Sequence, residues 1–185
     1  MGNYLTKFLY SKSIDNDINN YKSAGCIFID KNLILSGYQK KNSKYIISGI
    51  GGKKENNDKN PNHTAIREMI EELFDVTTLP DKLLNELIEI KPKKIITSKN
   101  HVNFIFTFFQ LDEMLEIMYD YKIRSNLYPI FPTCINELLF NRKINNNCEI
   151  LHLCLLPIVK TKIIIDNDFM NDIYLLNDST ELCIW

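Results

Sequence analysis

The sequence predicts an α/β protein in which a mixed β-sheet is packed between helices, an α/β/α sandwich. Three observations predict it. Short apolar runs rich in Ile, Phe and Tyr lie before and after one strongly periodic helix. No internal repeat or linker divides the chain. Its 185 residues, 45% hydrophobic and 24% charged, supply one core rather than two.

Residues 1–22 read as a polar, Asn-rich lead-in, and 23–185 as a single domain. Ala24–Asp30, Asn32–Gly37 and Lys44–Ser48 are expected strands, with a hairpin turn at Asp30-Lys31-Asn32. A Gly-rich, polar stretch from Gly49 to Pro61 precedes the helix. Leu84–Ile90, Val102–Leu111 and Ile150–Val159 are read as further strands, and 112–128 as a helix carrying Met114, Leu115, Met118 and Tyr119. The region 112–148 is long enough for a helical insertion. The tail from Ile163 to Trp185 is acidic and mixed, and no element is assigned to it.

Composition narrows the function. Lys+Arg 22 against Asp+Glu 23 leaves a net charge of −1, with no global field to draw the chain onto nucleic acid. No apolar stretch approaches the roughly 20 residues of a membrane span, and the N-terminus lacks a secretory signal layout. The five cysteines (Cys26, Cys134, Cys148, Cys154, Cys183) form no C-x-x-C pair, the usage of a reducing, cytoplasmic compartment. All but three of the 22 basic residues are Lys, as AT-rich coding favours. Each surviving arginine (Arg67, Arg124, Arg142) is therefore a candidate for needing its planar fork. Met1-Gly2-Asn3-Tyr4-Leu5-Thr6 fits N-myristoylation on Gly2, which would give weak membrane association.

One segment carries chemistry. Asn60 can cap a helix whose first residue is Pro61. Ile66, Met69, Ile70 and Leu73 form an apolar stripe, and Glu68, Glu71, Glu72 and Asp75 the opposite face, with Arg67 on the flank. Four stacked carboxylates repel by roughly 0.2–0.5 kcal/mol per adjacent pair. A solvated acidic face is one reading. A cluster of hard oxygen ligands for Mg²⁺ or Mn²⁺ is the other. The preceding Ser48-Gly49-Ile50-Gly51-Gly52-Lys53-Lys54-Glu55 favours the second, because its glycines permit close approach and free amides for a phosphate.

These residues resemble the signature of the Nudix hydrolases, G-x5-E-x7-R-E-U-x-E-E-x-G-U, with U a bulky aliphatic residue. Arg67, Glu68, Met69, Glu71 and Glu72 match its helical core. From Gly52, Asp58 stands in the place of the first Glu, and eight residues rather than seven then precede Arg67. Phe74 replaces the final Gly, and Asp75 the final aliphatic residue. The match covers residues 52–75. The resemblance implies a Nudix-type fold and cleavage of a diphosphate linked to a nucleoside or another group. It implies that Glu68, Glu71 and Glu72, with the Gly51 carbonyl, hold Mg²⁺ or Mn²⁺. Gly52, Lys53 and Glu55 would belong to the substrate loop. Arg67 would orient a carboxylate, whether Glu71, Glu55 or Asp58. The general base would be Glu71, Glu72 or a later carboxylate such as Glu149, whose plainer reading is a surface residue.

The loop phrase is similar to that of pyrophosphatases acting on ordinary or oxidised (deoxy)nucleoside triphosphates, so that substrate class is expected. Large DNA viruses share the AT-rich coding, and their Nudix enzymes include mRNA-cap hydrolases. Capped RNA is therefore the first alternative, followed by diphosphoinositols and dinucleoside polyphosphates. A cap enzyme needs a basic track, for which Lys91, Lys93, Lys94 and Lys99 are candidates; a solvated connection is the plainer reading. A non-catalytic binding module of the same type, or a merely structural acidic helix, are the remaining readings. His63 is expected to bond within the first helical turn, His152 to be a core residue, and His63, His101 and His152 are too scattered for a metal triad. Phe104, Phe106, Phe108 and Phe109 are expected in the core, while Tyr38, Tyr45 and Trp185 remain open.

Overall fold

Strand β1 (Ser23–Asp30) is buried along both faces, and its alternation sets the layering. Ala24, Cys26 and Phe28 join one apolar cluster, while Ile27 and Ile29 join another on the opposite face. The protein is described here by a computed structural model that covers residues 20–41, 43–158 and 164–178. Gly2, Cys183, Trp185 and most of the expected lead-in lie outside the described residues.

Around β1 stand β2 (Leu33–Lys41), β3 (Lys44–Ser48), β4 (Ile50–Lys53), β5 (Lys94–Ser98), β6 (His101–Thr107) and β7 (Ile150–Pro157). The main path runs β3-β2-β1-β6-β5; β4 also pairs with β1, and β7 with β2. Among the described strand pairs β1 and β6 run parallel and the rest antiparallel, so the sheet is mixed as expected. The hairpin turn at Lys31 takes a left-handed φ of 51°. β1 holds β2 through only two register pairs, Ile29–Ile34 and Asp30–Leu33, and β4 covers Ser23–Cys26 instead. The sheet therefore forks at this point.

Helices α1 (Pro61–Phe74), α2 (Asp81–Ile88), α3 (Phe108–Asp120) and α4 (Ile135–Phe140) contribute to the first cluster. Helix α5 (Asn167–Asp178) closes the second with Phe169, Ile173 and Leu176. This is the expected α/β sandwich.

Several element expectations are corrected. Leu84–Ile90 is not a strand: Leu83, Leu84 and Leu87 form the buried stripe of α2, which starts after Pro80. The apolar run Val102–Leu111 changes from strand to helix at Thr107. There a capping box joins Thr107 and Gln110, with Gln110 N–H donating to Thr107 Oγ1 over 3.1 Å. Helix α3 thus begins at Phe108 and ends at Asp120, rather than running over 112–128. The basic run on 91–99 is not a free connection, since Lys94–Ser98 pairs with β6 as edge strand β5. Phe109 is 79% exposed on the outer side of α3, and His152 is exposed beside Tyr38. Within the Gly-rich stretch, Ile50–Lys53 is the strand β4.

Candidate active site

Helix α1 forms as its sequence dictates. The Asn60 side chain accepts the His63 N–H at 2.9 Å, Pro61 occupies the first turn, and Ile66, Met69, Ile70 and Leu73 are wholly buried. Phe74 continues the helix and stacks on Phe131 at 4.8 Å, so the left-handed cap falls on Asp75 (φ 57°).

The polar face of α1 is not an exposed acidic surface. Arg67, only 8% exposed, is its hub. Its Nε and Nη2 donate to the two oxygens of Asp58 over 3.1 and 2.9 Å, a bidentate fork. Nη1 reaches Glu71 at 3.0 Å, and Nη2 also reaches Glu68 at 3.1 Å and the Lys53 carbonyl at 2.8 Å. Glu55 stands farther off, 3.8 Å from Nη1, with its side chain largely exposed. Asp58 itself accepts from the Glu55 N–H and the Thr64 hydroxyl and pairs with His63 Nδ1. Burial alone would raise its pKa; the Arg67 fork and these donors outweigh burial and hold the carboxyl well below the usual range.

The glutamates are placed by β4. A Cβ on Gly52 would coincide with the Glu68 carboxylate, so any other residue there would push that side chain out of its present place. Gly51 faces Gly25 across the β1–β4 ladder, where a Cβ would come within 2.5 Å of the Gly25 Cα. The Gly51 N–H donates to Glu72 over 2.7 Å. Burial pushes Glu72 well above the ordinary value; the Gly51 N–H opposes this, and the charges of Glu149, Glu68 and Glu71 add to it. Burial also raises Glu68 and Glu71, against the pull of Arg67.

Gly51, Gly52, Glu68, Glu71, Glu72 and Arg67 are thus gathered around one strand–helix junction. Lys53 contributes its carbonyl while its side chain is exposed. Arg67 binds Glu68 and Glu71, and Glu72 turns to Gly51, so the three glutamates do not share one ligand shell. Among the described residues no group of three or more His, Cys, Asp or Glu side chains is arranged to hold a metal ion. The donors nevertheless fit a hard divalent cation chemically: three carboxylates raised by burial have only one guanidinium to compensate them.

Glu149 is exposed and shares with Gly51 and Glu72 a cavity of about 190 Å³, between β4, the start of β6 and the start of α5. It also borders a wider cleft of about 710 Å³ lined by Lys40, Lys41, Tyr45 and Cys148. Two contributors escaped the sequence reading. Arg142 closes the C-terminus of α1, donating from Nη1 to the Leu73 carbonyl and from Nη2 to those of Glu72 (3.0 Å) and Ile150 (2.9 Å). Its survival in a Lys-biased chain was the available signal. Helix α5, whose Asp168 and Asp172 line the small cavity together with Asp166 just before it, is signalled by Phe169, Ile173 and Leu176 at helical spacing.

No family model and no curated protein matches the sequence. Among solved structures, the chain is similar to a bifunctional NMN adenylyltransferase/ADP ribose pyrophosphatase from Francisella tularensis complexed with AMP and Mn ion. Identity is 14%, the TM-score is 0.47, and the match covers 96% of this chain and 46% of that one. A second structure described by the same name and organism, without those ligands in its description, matches at 14% identity and TM-score 0.45, over 94% and 46% of the two chains. The chain spans just under half the length of these structures.

Proposed function

We propose that the chain is a divalent-metal-dependent hydrolase of the Nudix type that cleaves a diphosphate linkage in a nucleoside triphosphate, ordinary or oxidised. The observation that carries this reading is the strand–helix junction at which the Arg67 hub orients Glu68 and Glu71 while the Gly51 N–H holds Glu72. The departures from the signature have local explanations. Despite the longer loop, Asp58 reaches Arg67 with both oxygens. Phe74 needs no left-handed angle because Asp75 takes it.

Glu68, Glu71 and Glu72 would hold Mg²⁺ or Mn²⁺. When bound, the cation supplies charge neutralisation for the diphosphate and a water of lowered pKa. Arg67 orients Glu68 and Glu71 and opposes the burial that raises them. Glu72, facing the small cavity, is the residue placed to accept a proton at its carboxylate oxygen. Gly51 and Gly52 let the backbone of β4 approach the substrate without side chains in the way.

The test is a hydrolysis panel in Mg²⁺ and Mn²⁺ over dNTPs, oxidised dGTP, capped RNA, dinucleoside polyphosphates and diphosphoinositols. Glu71→Gln and Glu72→Gln should each lower turnover by roughly 100-fold or more while the chain stays folded. Turnover that survives both substitutions, or that persists in excess chelator, overturns the assignment.

A further inference from the structure

The small cavity beside Glu72 has features that metal chemistry does not explain. Its floor and walls come from the Ser48–Gly51 segment, from His101 and Asn103 at the start of β6, and from Asp168, Phe169 and Asp172 on α5. Ser48 is 7% exposed and Asn103 only 3%, yet Ser48 Oγ has no hydrogen-bond partner among the described residues, and the Asn103 amino group has none there besides Asp172. A buried polar atom left unpaired costs about 1–3 kcal/mol, and an unpaired hydroxyl beside an amino group with an N–H to spare points to a ligand that completes them.

The orientation of Asn103 is fixed from behind. His101 Nδ1 lies 2.7 Å from the Ser23 hydroxyl, and His101 Nε2 lies 3.1 Å from Asn103 Oδ1. Ser23 O–H donating to Nδ1 leaves Nε2–H to donate to Oδ1, which turns the Asn103 amino group away from His101. There it faces Asp172. Burial raises the Asp172 carboxyl, His101 and Asn103 restrain it, and Asp168 and Asp166 add to it. Asp172 is 7% exposed.

Charge and size then select the ligand. Glu72, Glu149, Asp166, Asp168 and Asp172 line the cavity against a single lysine, Lys41, which is already paired with Asp166 at 2.8 Å. Such a wall repels phosphate and attracts N–H donors. The volume of about 190 Å³ falls below the roughly 300 Å³ at which drug-sized pockets begin, leaving space for one ring system rather than a whole nucleotide. Among nucleobases, the guanine Watson–Crick edge alone offers two adjacent N–H donors to one carboxylate, with a carbonyl beside them for a hydroxyl or amide donor.

We propose that this cavity is a guanine-binding site, in which Asp172 accepts N1–H and the 2-amino group while Asn103 Nδ2 and Ser48 Oγ–H donate to O6. It deepens the hydrolase reading and rests on it for the position of the phosphates, which would extend past Gly51 toward Glu68 and Glu71. Asp172 is thereby a specificity residue, and His101 and Ser23 are positioning residues that act through Asn103.

Equilibrium binding to the full chain in chelator-containing buffer tests this without turnover, using GMP, IMP, AMP, CMP and UMP as probes. GMP should bind about 10-fold or more tightly than AMP, CMP or UMP, and IMP, which lacks only the 2-amino group, should fall between. Asp172→Asn should lower GMP affinity by about 10- to 100-fold and erase the gap between GMP and IMP. Ser48→Ala, a milder change, should cost several-fold in GMP affinity, and it decides the matter together with the GMP–IMP gap if Asp172→Asn does not fold. Equal binding of all five nucleotides, or an unchanged GMP affinity in a folded Asp172→Asn chain, overturns the proposal. The two readings fail separately. Metal- and Glu71-dependent hydrolysis indifferent to the base would remove the guanine site alone. Guanine-selective binding with no hydrolysis of any triphosphate would remove the hydrolase alone.

Discussion

On the α1 side of β4, the polar groups around Arg67 satisfy one another. The Arg67 guanidinium is shared among Asp58, Glu71, Glu68 and the Lys53 carbonyl, and Asp58 collects further donors from Glu55, Thr64 and His63. On the α5 side, the buried Ser48 hydroxyl has no partner among the described residues, the Asn103 amino group has only Asp172, and carboxylates outnumber cations along the cavity. The first flank is built as a rigid support, and the second is built to receive something. Glu72 belongs to both, since its helix is fixed by the first flank and its carboxylate opens on the second.

The largest expected effect breaks the saturated flank. Arg67→Ala strands the buried Asp58 carboxylate and should cost about 3–5 kcal/mol, read as the denaturant midpoint at constant m. Arg67→Lys should recover little of this, because an ammonium cannot span both oxygens of Asp58. Asp58 also gives the contrast a pH signature. Its folded pKa lies below the ordinary 3.8, so its contribution is present above that value and lost as pH falls below it. Glu72 runs the other way: with a folded pKa above the ordinary 4.5, its ionised form penalises the fold above that pKa, and the penalty is absent below 4.5. In chelator-containing buffer, Asp58→Asn should therefore flatten the acid limb of the Tm profile, whereas Glu72→Gln should raise Tm near neutrality. A Tm in Glu72→Gln equal to wild type at pH 7 would place Glu72 with the satisfied groups.

A smaller effect sharpens the comparison at its boundary. Arg142→Met leaves the carbonyls of Glu72, Leu73 and Ile150 without this donor and should cost about 1–3 kcal/mol. Because those carbonyls end the helix that carries the glutamates, kcat should fall more than KM rises. The smallest effect lies away from both flanks. Lys91 meets Glu89 at 3.4 Å with both side chains largely exposed, and Lys91→Gln should leave Tm and nucleotide turnover unchanged.

How much was legible in the sequence follows the same division. Helix α1 and its polar hub were readable because Asn60, Pro61, the apolar stripe and the Arg67–Glu72 spacing are local signals, and Arg67 and its partners lie within 20 residues of one another. The receiving flank was not readable. Ser48, Asn103 and Asp172 are far apart in sequence, and only the forked sheet and α5 bring them together. Two errors at element boundaries have local causes. Starting the window at Leu84 cut Leu83 out of the α2 stripe and left what resembled a strand. The unbroken apolar run Val102–Leu111 hid a change of period whose one marker was the Thr107–Gln110 pair.

The fork between β1 and β2 has a mechanical consequence. Past Asp30–Leu33 and Ile29–Ile34 the two strands part, β2 pairing with β3 from Gly37 onward and β1 pairing with β4 over Ser23–Cys26. The Lys41–Asp166 pair joins β2 to the approach of α5, and the Phe169 ring is seated against Gly49. The approach of α5 is thus tied to β3 by two backbone hydrogen bonds, from Ile47 N–H to the Ile164 carbonyl and from Asp166 N–H to the Ile47 carbonyl, beside one exposed ion pair and one aromatic wedge, and added salt weakens only the ion pair.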